Sequence, residues 1–252
     1  MAAARTKKWL MDRTKRIALR ILADPEIRES IYQSVHRPGD SEDLRPPNIR
    51  RHLWLRANDE TAAYVEEHML SVPSRAGRWA VLDDALAAVS IDGLFLEFGV
   101  ADAKSINYIA DRIDRTIYGF DGFEGLPEDW FDGMGKGVFD RCGKLPEVRR
   151  NVELVPGWFD ATLPKFAASH GDRPIAFMHV DCDLYSSTRE VFARLGSQVV
   201  ANTILVFDEY FNFPGWKNQE YKAFQEFVAE RGLEYEYLTY DRAWSTVAVR
   251  IK

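Results

Sequence analysis

The feature that most constrains the fold is the alternation, from Gly93 to the C-terminus, of short apolar runs with segments of helical spacing. Five apolar runs predict strands at 94–98, 116–120, 152–155, 175–180 and 203–207, and helical patterns lie near 103–113, 161–169, 186–195 and 217–231. Short, continuous apolar strands separated by helices are typical of a parallel sheet that is covered on both faces. Two further runs, at 233–238 and 244–251, have no helix between them and predict an antiparallel hairpin. We therefore expect an α/β fold with a doubly wound, mostly parallel, seven-stranded and Rossmann-like sheet.

The first part of the chain differs from the rest because its pattern is mostly helical, at about 5–23, 26–35, 58–70 and 77–89. A proline-rich, charged loop at 36–48 leads into the strand region, either as a mobile lid or as a passive connector. We expect an N-terminal helical extension over residues 1–56 and one domain over residues 57–252. The first helix is strongly basic and would pack on the body, on a partner subunit or on a membrane surface.

Charge and cysteine content limit the partners and the location. The net charge of −6 argues against general nucleic-acid binding, and no apolar stretch approaches the roughly 18–20 residues of a membrane span. Cys142 and Cys182 have no metal-ligand spacing, so no disulfide framework is expected and the reducing cytoplasm is the expected location. We also expect a homo-oligomer, a dimer or larger.

Polar residues at the ends of the first two predicted strands indicate a site for an amino acid joined to a nucleoside. Ligands of doubly wound sheets bind beyond the carboxyl ends of the strands. Gly99 allows a tight turn, Glu97 is suited to an ammonium group, and Ser105 near the next helix start is suited to a carboxylate. Asp121, 22 positions after Gly99, is suited to a ribose diol. The alternative is that Asp121 is a helix-cap or turn aspartate.

The same turn argues against a dinucleotide. Ala101 and Ala103 stand where a dinucleotide fingerprint would have further glycines, which favours an adenosyl amino acid such as S-adenosylmethionine. The third strand leads into Gly157, Trp158 and Phe159, which are suited to a flat adenine slot or, equally, to the edge of the core.

Four carboxylates follow the fourth and fifth predicted strands: Asp181 and Asp183, then Asp208 and Glu209. Crowding like charges is costly unless a cation or a proton offsets it. Oxygen ligands of this kind suit Mg²⁺, which would lower the pKa of a substrate hydroxyl, and we assign this role first to Asp181 and Asp208. Alternatively, Asp183 caps the next helix and Glu209 pairs with a lysine. Asp183 and His179 are candidates for a general base, although His179, within an apolar strand, is better interpreted as a core histidine.

Several strings resemble, in order, the macrocin O-methyltransferase family of class I S-adenosylmethionine-dependent methyltransferases. They are EFGV at 97–100, GFDGFEGLP at 119–127, GWFDATLP at 157–164, HVDCDLYSST at 179–188 and FDEY at 207–210. The resemblance runs from about residue 57 to the C-terminus. It implies S-adenosylmethionine, Mg²⁺ and O-methylation of a small-molecule hydroxyl, on a sugar of a secondary metabolite or glycolipid first and on a phenolic diol second.

By position, the resemblance implies a metal held by Asp181, Asp208 and Glu209, and a ribose bound by Asp121. We also predict catalytic roles for Asp181 and Asp183, and contact of Asp181 with the cofactor. Two departures from the family pattern stand out. Ala103 replaces a usual glycine, and Leu184 stands where related metal-dependent enzymes carry a basic or histidine general base, so the base is unassigned.

The connection from 121 to 151 is long and rich in glycine, with Trp130, Phe131 and Phe139 among the glycines. Long loops in compact domains are usually functional or disordered. We expect this one to close over cofactor and acceptor; the alternative is a surface excursion that packs on the N-terminal helices.

Two other classes of function are consistent with some of these features. Asp181-Cys182-Asp183 is also a D-x-D arrangement, as in metal-dependent nucleotide-sugar glycosyltransferases. A non-catalytic, cofactor-binding interaction protein is the second alternative.

Overall fold

The computed structural model describes residues 48–131 and 133–252. The helices predicted at 5–23 and 26–35, and the loop up to residue 47, lie outside these residues. The chain divides into two compact units, residues 1–52 and residues 53–252. The domain boundary predicted after residue 56 stays a prediction.

Eight strands form one sheet in the order β1-β7-β8-β6-β5-β2-β3-β4. Their bounds are β1 Ser74–Arg75, β2 Leu94–Phe98, β3 Ile117–Asp121, β4 Val152–Pro156, β5 Ile175–Val180, β6 Ile204–Phe207, β7 Tyr235–Asp241 and β8 Val247–Ile251. Strands β2 to β6 pair in parallel, and β8 is antiparallel to both β6 and β7. The predicted doubly wound sheet with a terminal hairpin is therefore confirmed.

The strand count differs from the prediction by one. The additional strand, β1, has two residues and pairs in parallel with β7 at the edge of the sheet. A two-residue strand is too short to carry an alternating or continuous apolar pattern, so the prediction of seven strands missed it.

Among the described residues, six α-helices accompany the sheet: α1 Ile49–His68, α2 Arg78–Ala87, α3 Lys104–Ala110, α4 Phe159–His170, α5 Tyr185–Leu195 and α6 Glu220–Arg231. Buried side chains of α2 and α3 pack on one face of the sheet, and those of α4, α5 and α6 pack on the other. Alternate residues of β2 belong to the two cores, with Phe95 in one and Leu94, Leu96 and Phe98 in the other. This arrangement explains why β2 has no polar face, since both of its faces are covered.

The order of the strands locates the ligand site. From β2 the chain adds β3 and β4 on one side, then crosses to β5 and β6 on the other side. The carboxyl ends of β2 and β5 therefore flank the point where the winding reverses, which is where doubly wound sheets bind ligands. Within the described residues, no helix has both the length and the apolar character needed to cross a membrane.

Candidate active site

Gly99 follows β2 at the point where the winding reverses, against the backbone of Asp181. The Asp181 N–H donates to the carbonyl oxygen of Phe98 at 2.8 Å, and the Gly99 N–H donates to that of Phe120 at 2.9 Å. Gly99 has a φ of +88°, and a Cβ there would lie 2.6 Å from the carbonyl carbon of Asp181 and closer still to its oxygen. Only glycine allows this approach, so Gly99 connects the predicted cofactor turn directly to the predicted metal aspartate.

Glu97, Ser105 and His179 form a buried hydrogen-bonded chain beneath that turn. The Ser105 hydroxyl donates to Glu97 Oε1 at 3.0 Å, and His179 Nδ1 lies 2.9 Å from Glu97 Oε2. Glu97 and His179 are fully buried, and within residues 48–131 and 133–252 His179 Nε2 has no hydrogen-bond partner. Burial lowers the pKa of His179, but the hydrogen bond and the charge of Glu97 outweigh burial, so this pKa is raised. In this geometry Ser105 donates to Glu97 and not toward a carboxylate ligand.

Asp121, at the end of β3, fixes the first loop. Its Oδ2 accepts hydrogen bonds from the backbone N–H groups of Val100 and Ala101, both at 2.8 Å, and its Oδ1 accepts from Phe123 N–H at 2.6 Å. These are the bonds of a turn aspartate, the alternative considered from the sequence. A carboxylate accepts about four hydrogen bonds, so Asp121 retains capacity for a ribose diol.

The two aromatic residues after β4 lie in different environments. Trp158 is 39% exposed, and its indole ring would be 3.3 Å from a Cβ placed on Gly122. Phe159 packs edge-on against Phe98, with ring centroids 5.7 Å apart. Gly157 donates its N–H to the carbonyl oxygen of Asp121 at 2.9 Å. Trp158 thus offers an accessible flat face beside Asp121, whereas Phe159 belongs to the edge of the core.

The four predicted carboxylates do come together. Oxygens of Asp181, Asp183 and Glu209 lie within 4.8 Å of one another, and so do ligand atoms of His179, Asp181 and Asp208. Burial, followed by repulsion from Asp208, raises the pKa of Asp181 to about 7. Burial and neighbouring carboxylates raise the pKa values of Asp183 and Glu209 well above their usual range, and Glu209 Oε2 has no hydrogen-bond partner in the described part of the chain. The cluster is therefore short of positive charge.

The two alternatives to a metal role have no support among the described residues. Helix α5 begins without a side-chain cap, and its first N–H, of Tyr185, donates to Gln219. In the part of the chain that the structure describes, no lysine forms an ion pair with Glu209.

Glu220 is a residue of this site that the sequence analysis missed. It is the first residue of α6, is fully buried, and accepts backbone hydrogen bonds from Cys182 and Asp183 at Oε1 and from Glu209 at Oε2. It thereby joins the loop after β5 to the loop after β6. An acidic residue in the first turn of a helix is common, so the sequence carried no specific signal for this role.

Arg78, the first residue of α2, was also missed. Its Nη1 lies 3.0 Å from Asp208 Oδ2, and Thr246 donates to Asp208 Oδ1 at 3.0 Å. Burial lowers the pKa of Arg78, but the charges of Asp208, Asp181 and Glu209 raise it above its ordinary value. Arg78 thus brings positive charge to the cluster from 130 positions away in the sequence.

The long connection between β3 and β4 lies against this edge of the sheet. Its Glu128 accepts a hydrogen bond from Ser186 on α5 at 2.6 Å. Trp130 packs against both Phe131 and Phe213. Phe131 also packs on Trp54 of α1, whereas Phe139 is 51% exposed. The surface-excursion alternative expected packing on the N-terminal helices, and Phe131 packs in this way on α1.

The chain is similar in sequence to known O-methyltransferases. The macrocin-O-methyltransferase (TylF) family matches residues 78–244. Demethyldecarbamoylnovobiocin O-methyltransferase of Streptomyces niveus is 31% identical over 150 residues, covering 52% of this chain and 54% of that one. A second relative is 8-demethyl-8-(2,3-dimethoxy-alpha-L-rhamnosyl)-tetracenomycin-C 4'-O-methyltransferase of Streptomyces olivaceus. It is 27% identical over 117 residues, covering 38% of this chain and 42% of that one.

The chain therefore spans about half the length of the curated relatives that it matches. Among solved structures, CalS11, a calicheamicin methyltransferase, superposes with a TM-score of 0.53 at 22% identity, covering 90% of this chain and 93% of that one. At this identity the superposition shows the fold, which is that of class I methyltransferases.

Proposed function

Since the chain belongs to the macrocin-O-methyltransferase family, we propose that it transfers the methyl group of S-adenosylmethionine to a hydroxyl of a small molecule. One observation carries this proposal: the backbone of Gly99 lies against the backbone of Asp181, so the two halves of the site are adjacent. The turn after β2 belongs to the cofactor half. Asp181 belongs to the carboxylate half.

For the cofactor, Asp121 would bind the ribose diol and the exposed face of Trp158 would stack on the adenine. Gly157 and Phe159 shape that end of the site. Glu97 and Ser105 would act mainly through the loop that they brace, because their bonds are directed at each other and at His179.

The carboxylates fit a divalent ion. Asp181, Asp183 and Glu209 offer oxygens within the spacing of one ion's ligands, and Glu209 Oε2 is buried without a partner. We propose that Asp181, Asp208 and Glu209 hold Mg²⁺, as the family resemblance implies. When bound, Mg²⁺ would lower the pKa of the acceptor hydroxyl and orient it toward the methyl donor.

In the reaction, the acceptor oxygen forms a bond to the methyl carbon while the bond from sulfur to that carbon breaks, leaving S-adenosylhomocysteine. Asp183 is our candidate for the group that accepts the hydroxyl proton, because its carboxylate belongs to the same cluster as Asp181 and Glu209, with oxygens within 4.8 Å of theirs. Asp181 is backbone-fixed against Gly99 and would position the reactants.

The relatives' names guide the acceptor. One relative is named for a novobiocin precursor and another for a rhamnosyl tetracenomycin. We propose a sugar hydroxyl of a secondary metabolite or glycolipid, with a phenolic diol as the second class. A homo-oligomer in the cytoplasm remains our expectation.

Calorimetry with S-adenosylhomocysteine tests the cofactor assignment. Asp121→Ala should weaken binding about 10- to 100-fold, because hydrogen bonds to a charged acceptor are worth about 1.5–3 kcal/mol. Asp140→Ala is the matched control: Asp140 Oδ1 also accepts a hydrogen bond from the backbone two residues on, but Asp140 is exposed and no cofactor role is assigned to it, so binding should be unchanged. Equal binding by both variants would refute the ribose role, and binding of a nucleoside diphosphate alone would favour the glycosyltransferase alternative.

A screen of glycosides and phenolic diols with labelled S-adenosylmethionine tests the reaction. Methyl transfer that a chelator abolishes and Mg²⁺ restores is the expected result. Full activity in the chelator would remove the metal from the proposal, and binding of the cofactor without transfer to any acceptor would favour the non-catalytic alternative.

A further inference from the structure

His179 Nε2 is a polar atom in an apolar strand, and it has no hydrogen-bond partner among the residues that the structure describes. The side chain is fully buried on β5, and its Nδ1 is hydrogen-bonded to Glu97. A buried polar atom without a partner costs free energy and calls for an explanation.

The surroundings of His179 fix which nitrogen is available. Glu97 accepts hydrogen bonds at both oxygens, from Ser105 and from His179. The bond to Glu97 places a proton on Nδ1 and leaves Nε2 to bind either a second proton or a metal ion. A carboxylate behind Nδ1–H is also what orients histidines that ligate metals, because it fixes the tautomer and raises the basicity of the other nitrogen.

Two carboxylates complete the arrangement. A ring nitrogen of His179 and oxygens of Asp181 and Asp208 lie within 4.8 Å of one another. Ligands held about 2.0–2.3 Å from one ion are separated by at most roughly 4–4.6 Å. Small side-chain adjustments therefore bring these three groups onto a common ion. Asp208 keeps lone pairs for such an ion beside its bonds to Arg78 and Thr246.

We propose that His179 Nε2 is a ligand of the divalent-metal site, so that the site prefers a first-row transition-metal ion over Mg²⁺. The inference rests on the metal site of the proposed function and changes its ligand set and its metal. Imidazole nitrogen suits transition metals, whereas Mg²⁺ selects oxygen ligands. The ion would replace any proton at Nε2.

Pulsed electron paramagnetic resonance on the full chain loaded with Mn²⁺ tests the ligand directly. Unlabelled protein should show ¹⁴N modulation of the Mn²⁺ echo, and protein labelled with ¹⁵N only in histidine should show the ¹⁵N pattern instead. His179→Gln, which retains a donor for Glu97, should lose the coupling. His170→Gln is the matched control, because His170 bonds to Ser169 and Phe166 outside the site and its loss should leave the coupling intact.

Metal titrations give a second readout. The ratio of Co²⁺ to Mg²⁺ affinity should fall at least about tenfold in His179→Gln, while Mg²⁺ affinity changes little. If His179→Gln does not fold, the ¹⁵N-labelled wild-type chain still shows whether a histidine nitrogen binds Mn²⁺.

The outcomes separate this inference from the proposed function. Mn²⁺ that binds without histidine coupling, or coupling that persists in His179→Gln, overturns the assignment and leaves the carboxylate metal site standing. Absence of Mn²⁺ binding overturns both the assignment and the metal part of the proposed function. Retained binding of S-adenosylhomocysteine would then show that the cofactor part survives.

Discussion

Replacing Gly99 by alanine should be one of the most damaging single changes in the chain. The added Cβ would lie 2.6 Å from the carbonyl carbon of Asp181, whereas real Cβ atoms essentially never come within 3.0 Å of a neighbour. Backbone cannot rotate away as a side chain can, so β2 and β5 must separate locally. The Asp181 N–H bond to Phe98, 2.8 Å long, would be lost or badly stretched.

The magnitude follows from the separate costs. A left-handed alanine costs about 1–2 kcal/mol, the hydrogen bond about 1 kcal/mol, and forcing an extra atom into packed structure about 1–3 kcal/mol. Alanine has less conformational entropy than glycine in the unfolded chain, and this difference offsets about 0.4–1 kcal/mol of the loss. We expect Gly99→Ala to lower the free energy of unfolding by about 3–5 kcal/mol.

Urea unfolding followed by circular dichroism measures this loss, and Gly137→Ala is its matched control. Gly137 has a φ of +83°, close to that of Gly99, but a Cβ there would meet nothing within 4 Å. The control should therefore lose only about 1 kcal/mol. Equal losses in the two variants would refute the claim that the Asp181 backbone, and not the φ angle alone, requires glycine.

Three further changes test the charge and strain of the site. In a chelator, Arg78→Gln should lose about 2–3 kcal/mol of unfolding free energy, and a divalent ion should restore most of it. Arg75→Gln, whose ion pair is more exposed, should lose less than about 1 kcal/mol in the same urea experiment, and equal losses would contradict the role of Arg78. Burial and Asp208 raise the pKa of Asp181 to about 7, so the folded chain binds more protons than the unfolded chain between about pH 4 and pH 7, and its stability falls as pH rises through that range. Calorimetry in chelator should therefore give a Tm about 2–5 °C higher near pH 5 than near pH 8. Asp181→Asn should reduce this difference without abolishing it, because the pKa values of Asp183 and Glu209 are raised as well; an unchanged pH dependence in Asp181→Asn would contradict the assignment. Ala103→Gly should stabilise the chain by about 0.5–1 kcal/mol, because Ala103 is buried at a φ of +63°, and a loss of stability would show that its methyl packing outweighs the strain.

The strands that the sequence located best are those buried on both faces. The predicted bounds of β2 and β5 match the structure, since a continuous apolar run begins and ends with burial. At the edges of the sheet the apolar pattern is weaker. Strand β4 extends one residue beyond its predicted end, and β1 was not predicted. Helix α1 begins at Ile49 and not near 58, because its faces do not separate into apolar and polar.

The site residues that follow strands could be predicted from the sequence, but the helix residues that contact them could not. Asp181 and Asp208 follow buried strands of a parallel sheet, and the carboxyl ends of such strands must meet at one edge. Arg78 and Glu220 reach the same edge from helix starts, and local sequence does not specify which helix start faces the site. His179 was interpreted as a satisfied core histidine; burial is confirmed, but only Nδ1 has a partner.

The two halves of the site differ in how many of their polar atoms form hydrogen bonds within the chain. On the cofactor side, Glu97 and Asp121 accept hydrogen bonds at every carboxylate oxygen. On the carboxylate side, Glu209 Oε2 and His179 Nε2 have no hydrogen-bond partners among the described residues, and the pKa values of Asp181, Asp183 and Glu209 are all raised. Turns that are already bonded can bind a ligand with little reorganisation. Carboxylates without enough positive charge gain most from a cation, so we expect a divalent ion at a fixed concentration to stabilise Arg78→Gln more than the unchanged chain, because the ion binds more tightly when the charge of Arg78 no longer opposes it.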